Sequence, residues 1–370
     1  MLYILKDGLP RIASPLTPAQ LAAAHPVWHA AGAESADSAD AWQEGRLGSH
    51  AVYLHSGRNS PSPFSQSSFP PSASLSGARP DCSTDAFVDT GKGTHAASSP
   101  SFLSERWEMP IVICGECTSA LDVARPLATE NALPEWGSLL ALRQTTGRGQ
   151  LRRPWNSPVG NVYAVLRLPA QGPHLDDFAP LTLGYLFAHA FAELGLPLAL
   201  KWPNDLLRMP DAARLTKEED AAGVKVGGIL VEEYGSLLCA GIGLNVVSCP
   251  PPEALREGAA TPAGCLYPET AVPCVIPDVI GLWQKLVQRV HFWYVSSVVH
   301  YNREELTNRV QKYLAWVGRD VLVHGGDADD RPGRLLGVNE SGALRLLLSG
   351  HECAVVPNSI SLSSYKRPSF

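Results

Sequence analysis

No run of about 18 consecutive apolar residues occurs in the chain, so no segment reads as a membrane-crossing helix. Positive charge is in deficit too: 30 Lys and Arg stand against 36 Asp and Glu, a formal net charge of −6. Without a basic excess there is no global field to draw in nucleic acid, and an anionic ligand would need local cations. Cysteine is thinly spread, eight in 370 residues, which excludes a dense disulfide framework and fits a reducing cytoplasm. The pair in "CGEC", Cys114 and Cys117, has the spacing of a redox site or half a zinc site. No second C-x-x-C or C-x-x-H completes it, so metal or redox chemistry is the weaker reading. The opening "MLYILKDGLPRIASP" has too short an apolar run for a secretory leader, and Lys6 follows that run rather than preceding it. The expectation is a soluble, cytoplasmic protein.

Apolar residues make up 45% of the chain, enough for a sizeable core and more than one domain. Residues 1–105 differ in texture from the rest. The Ser/Pro-rich stretch 59–80 has too little apolar surface to offset ordering entropy. "LTPAQLAAA" predicts a short helix with Thr17 as N-cap, "HAVYLHSG" a strand, and no helix–turn–helix pattern follows. Beyond residue 105, "PIVICGE", "SLLALRQT" and "NVYAVLRLP" read as strands, and residues 181–195 as a helix. Residues 279–298 and 303–317 read as helices, and the last fifty or so residues as short strands with a turn at "NESG". The expected division is an N-terminal extension (1–105), a main unit (106–317) and a small C-terminal unit (318–370).

Three polar islands interrupt the apolar pattern. "RQTTGRGQLRRPW" (143–155) sets Gly147 and Gly149 around Arg148, with Arg152 and Arg153 close behind. Glycines let a backbone approach a ligand, and guanidinium groups pair with phosphate or carboxylate oxygens. A solvated basic loop is the competing reading, and the spacing is not that of a Walker A loop. "KWPNDLL" (201–207) places a lysine, an amide and a carboxylate beside Pro203, which should end or turn the strand. Asn204 could hold a base, ribose or phosphate, and Asp205 could orient Lys201 or help hold a metal. A plain Lys201–Asp205 pair with Asn204 capping a turn is the alternative. In "GVKVGGILVEE" (223–233), Lys225 breaks an apolar strand ahead of Gly227 and Gly228, and "AGIGLNV" (240–246) ends in Asn245. No G-x-G-x-x-G dinucleotide fingerprint is present.

In this order and spacing, "GRG…W", "KWPNDL", "K-x-GGILVE" and "GIGLNV" resemble the catalytic domain of the biotin–protein ligases, over roughly residues 108–365. The resemblance implies an α+β fold, a mixed β-sheet with helices packed on one face, of class II aminoacyl-tRNA synthetase-like type, followed by a small SH3-like β-barrel. It implies that ATP and biotin, with Mg2+, give biotinyl-5′-adenylate and pyrophosphate, and that biotin then passes to a lysine of a biotin carboxyl carrier protein. Lys225, Arg148 and Lys201 then match catalytic positions. Cys117, Thr118, Ser119, Gln144, Gly147, Gly149, Gln150 and Gly228, with Arg148 and Lys225, match the biotin side. Arg148, Arg152, Arg153, Trp155, Lys201, Asn204, Asp205 and Asn245 match the nucleotide side, and Asp205 is a candidate metal ligand.

The chain departs from that pattern in three places. Gln150 stands where an arginine is usual and Arg152 where a glycine is usual, so Arg152 or Arg153 is expected to supply the missing charge. Cys117 replaces a serine. The stretch 208–223 is longer and more polar than usual and reads as an exposed hairpin loop. A winged-helix repressor module is not expected in residues 1–105, and neither DNA nor a membrane is an expected partner; a homodimer is compatible with the family. Lipoate–protein ligase is the nearest rival, and a non-catalytic biotin sensor the rival from another class.

Overall fold

The computed structural model describes residues 1–28, 42–55, 110–210, 223–255, 261–267, 278–324, 330–357 and 360–364. The Ser/Pro-rich stretch and most of the 208–223 loop lie outside these residues. Ten strands form one mixed sheet: β1 (Leu2–Leu5), β2 (Trp42–Leu47), β3 (His50–His55), β4 (Ile111–Cys117), β5 (Ser138–Gln144), β6 (Val162–Leu168), β7 (Ala199–Lys201), β8 (Asp205–Arg208), β9 (Val224–Tyr234) and β10 (Leu237–Leu244). Their spatial order is β2-β3-β1-β4-β5-β6-β10-β9-β8-β7. β4 runs parallel to β1 and to β5, and the other neighbours are antiparallel.

The helices are α1 (Pro18–Ala24), α2 (Ala120–Thr129), α3 (Ala179–Glu193), α4 (Val279–Ser296) and α5 (Arg303–Tyr313). They pack on both faces of the sheet, which corrects the expectation of one face. The cause is visible in the central strands, whose two faces are both apolar. Ile111, Ile113, Leu140 and Ala164 join the core under α3 and α4, while Val112, Cys114, Leu139 and Val165 join a second core under α2. Because α2 covers only part of its face, the rest of that face stays open as the wall of a cavity.

The N-terminal segment is not set apart from the sheet, as its composition suggested. The alternating "LYIL" of β1 buries Leu2, Ile4 and Leu5, and β1, β3 and β2 extend the sheet beyond β4. In α1 the Thr17 hydroxyl accepts from the Gln20 N–H (3.2 Å), and the Gln20 side chain accepts from the Thr17 N–H (2.8 Å). This reciprocal cap satisfies two backbone donors at the first turn.

Five further strands, β11 (Asp320–His324), β12 (Arg331–Val338), β13 (Leu344–Leu348), β14 (His351–Val355) and β15 (Ser361–Ser364), make an antiparallel sheet in the order β14-β13-β12-β11-β15. The "NESG" turn joins β12 to β13, and the Asn339 side-chain oxygen accepts from the N–H groups of Ser341 and Ala343. The Trp202 indole N–H donates to the Gly342 carbonyl (2.9 Å), tying this sheet to the site-bearing hairpin β7–β8.

Candidate active site

Glycine makes the floor. Gly243 on β10 pairs with Gly228 on β9 and with Tyr163 on β6, and Gly241 pairs with Leu230 and Val165. The Trp155 indole lies on this floor: a Cβ on Gly243 would come within 2.6 Å of the ring, and one on Gly228 within 3.3 Å. Only bare backbone allows that approach. Trp155 is held from behind, since its backbone N–H donates to the Gly147 carbonyl (2.8 Å) and the Gly149 N–H donates to the Arg153 carbonyl (2.8 Å). Residues 147–155 therefore close into a loop over the floor. Its tip carries Leu151 and Arg152 in the left-handed region, both at φ 56.

A cationic cluster faces this loop. Pro203 ends β7 as expected, and the chain returns as β8 with Lys201 opposite Asp205 and Asp205 opposite Gly228. On β9 the register shifts: Leu206 pairs with Gly227 but Leu207 with Lys225, leaving Val226 as an extra residue. Such a bulge turns the strand and re-aims its side chains. Lys225 Nζ consequently lies 2.6 Å from Asp205 Oδ1, and Lys201 Nζ lies 3.7 Å from Asp205 Oδ2. Burial alone would push the Asp205 carboxyl up, but the charges of Lys225 and Lys201, with a contribution from Arg153, hold it below the usual carboxylate range. Lys201, a buried lysine, also donates to the Thr261 hydroxyl (2.8 Å). Lys225 Nζ lies 5.1 Å from the centre of the Trp155 ring, within cation–π range.

Arg148 occupies the other end. Its guanidinium bridges Asp122 (2.9 Å) and Glu232 (3.1 and 3.2 Å) and donates to the Tyr234 hydroxyl (3.2 Å). The hydrogen bond to Glu232 and that to Asp122 raise its pKa further despite partial burial. Gln144 joins the strand ends: its side-chain oxygen accepts from the Ala120 N–H (2.8 Å) and its amide donates to the Ser157 hydroxyl (2.9 Å).

These elements enclose a cavity of about 730 Å³, a volume suited to a small-molecule ligand. Of the residues singled out by sequence, Ser119, Gln144, Arg148, Gly149, Gln150 and Arg153 line it from the loop side. Trp155, Lys201, Asn204, Asp205, Lys225 and Gly228 line it from the floor and hairpin. Five others do not. Gly147 and Arg152 face a separate recess on the outer side of the loop. Cys117 is buried with its thiol toward the Arg143 carbonyl (3.6 Å), and Thr118 donates to Asp122 (3.1 Å). Asn245 is buried, donating to the Gly264 carbonyl (3.2 Å), so it braces the segment carrying Thr261. Asn204 lines the cavity yet spends its amide on the Ile229 carbonyl (2.6 Å).

Two lining groups were not foreseen from the sequence. His324 on β11 and Asp330, just ahead of β12, reach the same cavity, where His324 Nδ1 lies 2.6 Å from Asp330 Oδ2 and its Nε2 lies 2.7 Å from the Ser363 hydroxyl. A lone histidine in "DVLVHGG" gives no local sign of this, because only the packing of the C-terminal sheet brings it to the site.

The sequence profile of the biotin/lipoate A/B protein ligase family matches residues 129–246. The biotin–[acetyl-CoA-carboxylase] ligase of Paracoccus denitrificans is 30% identical over 227 residues, spanning 56% of this chain and 82% of that protein. The bifunctional ligase/repressor BirA of Bacillus subtilis (strain 168) is 31% identical over 193 residues, and this chain spans 54% of its length. Among solved structures, biotin protein ligase from Aquifex aeolicus in complex with biotin and ATP aligns with a TM-score of 0.52 at 24% identity, over 69% of this chain and 99% of that one. That likeness bears on the fold. The chain belongs to the biotin/lipoate A/B protein ligase family and is a ligase. Within that family it is a biotin protein ligase.

Proposed function

We propose that the chain activates biotin with ATP, forming biotinyl-5′-adenylate and pyrophosphate, and then transfers biotin to one lysine of a biotin carboxyl carrier protein. The observation that carries this reading is the convergence of Lys201 and Lys225 on Asp205 in the wall of the cavity that the 147–155 loop covers. In the first step a biotin carboxylate oxygen attacks the α-phosphorus, and the bond to the β-phosphate oxygen breaks. Both partners are anions, so the ammonium groups of Lys225 and Lys201, with Arg153, gather them and offset the charge that builds between them. In the second step the carrier's neutral lysine amine attacks the acyl carbon, the bond to the phosphate oxygen breaks, AMP leaves, and the nitrogen gives up a proton. The glycine floor and the Trp155 indole seated on it form an apolar surface that suits the uncharged biotin ring.

Asp205 does not fit the part of a metal ligand. One of its oxygens lies against the ammonium of Lys225 and the other faces that of Lys201, and among the described residues no group of three His, Cys, Asp or Glu is placed to hold an ion. The reading has Mg2+ arriving with the nucleotide phosphates and uses no protein-held metal. The five-stranded C-terminal sheet is read as the SH3-like barrel of the family. No repressor activity is proposed, in keeping with the net charge of −6 and with the building of β1–β3 into the sheet. A cytoplasmic setting and a homodimer remain part of the proposal; among the described residues no helix is long and apolar enough to cross a membrane. The test is transfer of labelled biotin to an apo carrier domain with ATP present. Biotin but not lipoate should compete for the label, and competition by lipoate alone would overturn the reading.

A further inference from the structure

The outer edge of β4 is covered toward both of its ends by the N-terminal segment, in two different ways. β1 pairs with it in parallel from Ile111 to Ile113. The chain then turns at Gly8, and residues Leu9–Ser14 come back along the remaining stretch. There the Ser14 N–H donates to the Glu116 carbonyl (2.8 Å), the Thr118 N–H donates to the Ile12 carbonyl (2.9 Å), and Ala13 bridges Cys117. The segment is itself braced, since Leu9 and Ala13 exchange both backbone hydrogen bonds (2.9 Å each) and the Leu9 side chain is buried in the core under α2.

What it braces leads straight to the site. The Cys117 and Thr118 carbonyls accept from the N–H groups of Thr145 and Thr146 (2.9 Å each), the two residues that precede the glycine loop. The Thr118 hydroxyl donates to Asp122, and Asp122 holds Arg148. A continuous chain of hydrogen bonds thus runs from Ile12 through Thr118 and Asp122 to Arg148. We propose that Leu9–Ser14 is a positioning segment for the ring-binding side of the cavity, fixing the Cys117–Ser119 turn and, through it, the base of the 147–155 loop. This deepens the biotin reading and rests on it.

Two backbone positions make it testable in the full chain. Gly8 sits at φ +66, and a Cβ there would lie 2.4 Å from the Ala13 carbonyl oxygen, so Gly8→Ala cannot keep this turn. A Cβ on Gly115 would lie 2.5 Å from the Ser14 hydroxyl and 3.2 and 3.3 Å from the Ser14 and Pro15 carbonyl oxygens, so Gly115→Ala crowds the segment against β4, and Ser14→Ala relieves the closest of these contacts. Biotin and ATP binding are each followed by titration calorimetry, with thermal melting alongside. Gly8→Ala and Gly115→Ala should weaken biotin binding about ten-fold or more and ATP binding, which shares the 147–155 loop, by several-fold less, and the Ser14→Ala/Gly115→Ala double variant should recover part of the loss. Biotin affinity within about two-fold of wild type in Gly8→Ala overturns the proposal. So does a matched loss of biotin and ATP binding with a lowered melting temperature, which marks a merely structural role. Should Gly115→Ala not fold, Gly8→Ala alone decides. Wild-type protein that binds no biotin would instead overturn the functional reading.

Discussion

Asp205 and Lys225, on neighbouring strands, form an ion pair of 2.6 Å at the wall of the cavity, with Lys201 on Asp205's other oxygen. The carboxylate spaces two ammonium groups that would otherwise repel each other. It thereby keeps both aimed at one volume. Replacing Asp205 by Asn leaves two adjacent cations without their counter-charge, which should cost up to about 3 kcal/mol, the pair being only partly buried. The pH dependence has a definite sign. The Asp205 pKa is lowered in the folded state, so its contribution is complete above the unfolded value of about 3.9 and is lost as pH falls through the lowered one. Melting curves should therefore separate wild type from Asp205→Asn at neutral pH and converge in acid. A gap that persists or widens below about pH 3 would contradict this assignment.

The loop arginines should not be equivalent. Arg153 lines the cavity and bears on Asp205, whereas Arg152 faces the outer recess. Of the two residues expected to stand in for the charge missing at Gln150, the geometry favours Arg153. Arg153→Ala should speed loss of bound adenylate by about ten-fold or more, the worth of one charge-assisted hydrogen bond. Arg152→Ala should stay within about two-fold. Filter-binding decay of the labelled intermediate reads both.

Gly243 is needed for the close seating of Trp155. Gly243→Ala puts a methyl group 2.6 Å from the indole ring, so the ring must leave the floor. Biotin affinity should fall by at least about ten-fold, while the backbone pairing of β10 is kept. Unchanged affinity in calorimetry would show that the seating of Trp155 does not shape the ring-binding surface.

The fold was legible where periodicity is local and strong. The helices read at 181–195 and 279–298 appear as α3 and α4, and the buried run "PIVICGE" as β4, within a few residues of where helical spacing and the apolar run put them. Thr17 was readable as a cap because the reciprocal Gln20 partner lies within the same turn. Lys201, Asp205, Lys225 and Gly228 were readable as one site only through their resemblance to a family pattern. Their meeting depends on the extra residue at Val226, and nothing in "KVGG" announces a bulge. Asn245 was misleading for the opposite reason: a polar residue after "GIGL" looks like a ligand contact, yet its amide is spent on the Gly264 carbonyl. Of the N-terminal strands only β3 was foreseen, from "HAVYLHSG"; β1 and β2 were hidden by the composition of the segment around them, and His324 by lying in another sheet.

The central claim is that Lys225 and Lys201 gather biotin and ATP for attack at the α-phosphorus. Its most direct test is biotin-dependent exchange of labelled pyrophosphate into ATP, run on the wild-type protein and on Lys225→Ala. Exchange that requires biotin and falls by about 100-fold or more in Lys225→Ala is the predicted result, as expected when one preorganised charge is removed from a transition state. Wild-type exchange that ignores biotin, or a Lys225→Ala protein that exchanges at the wild-type rate, would contradict it.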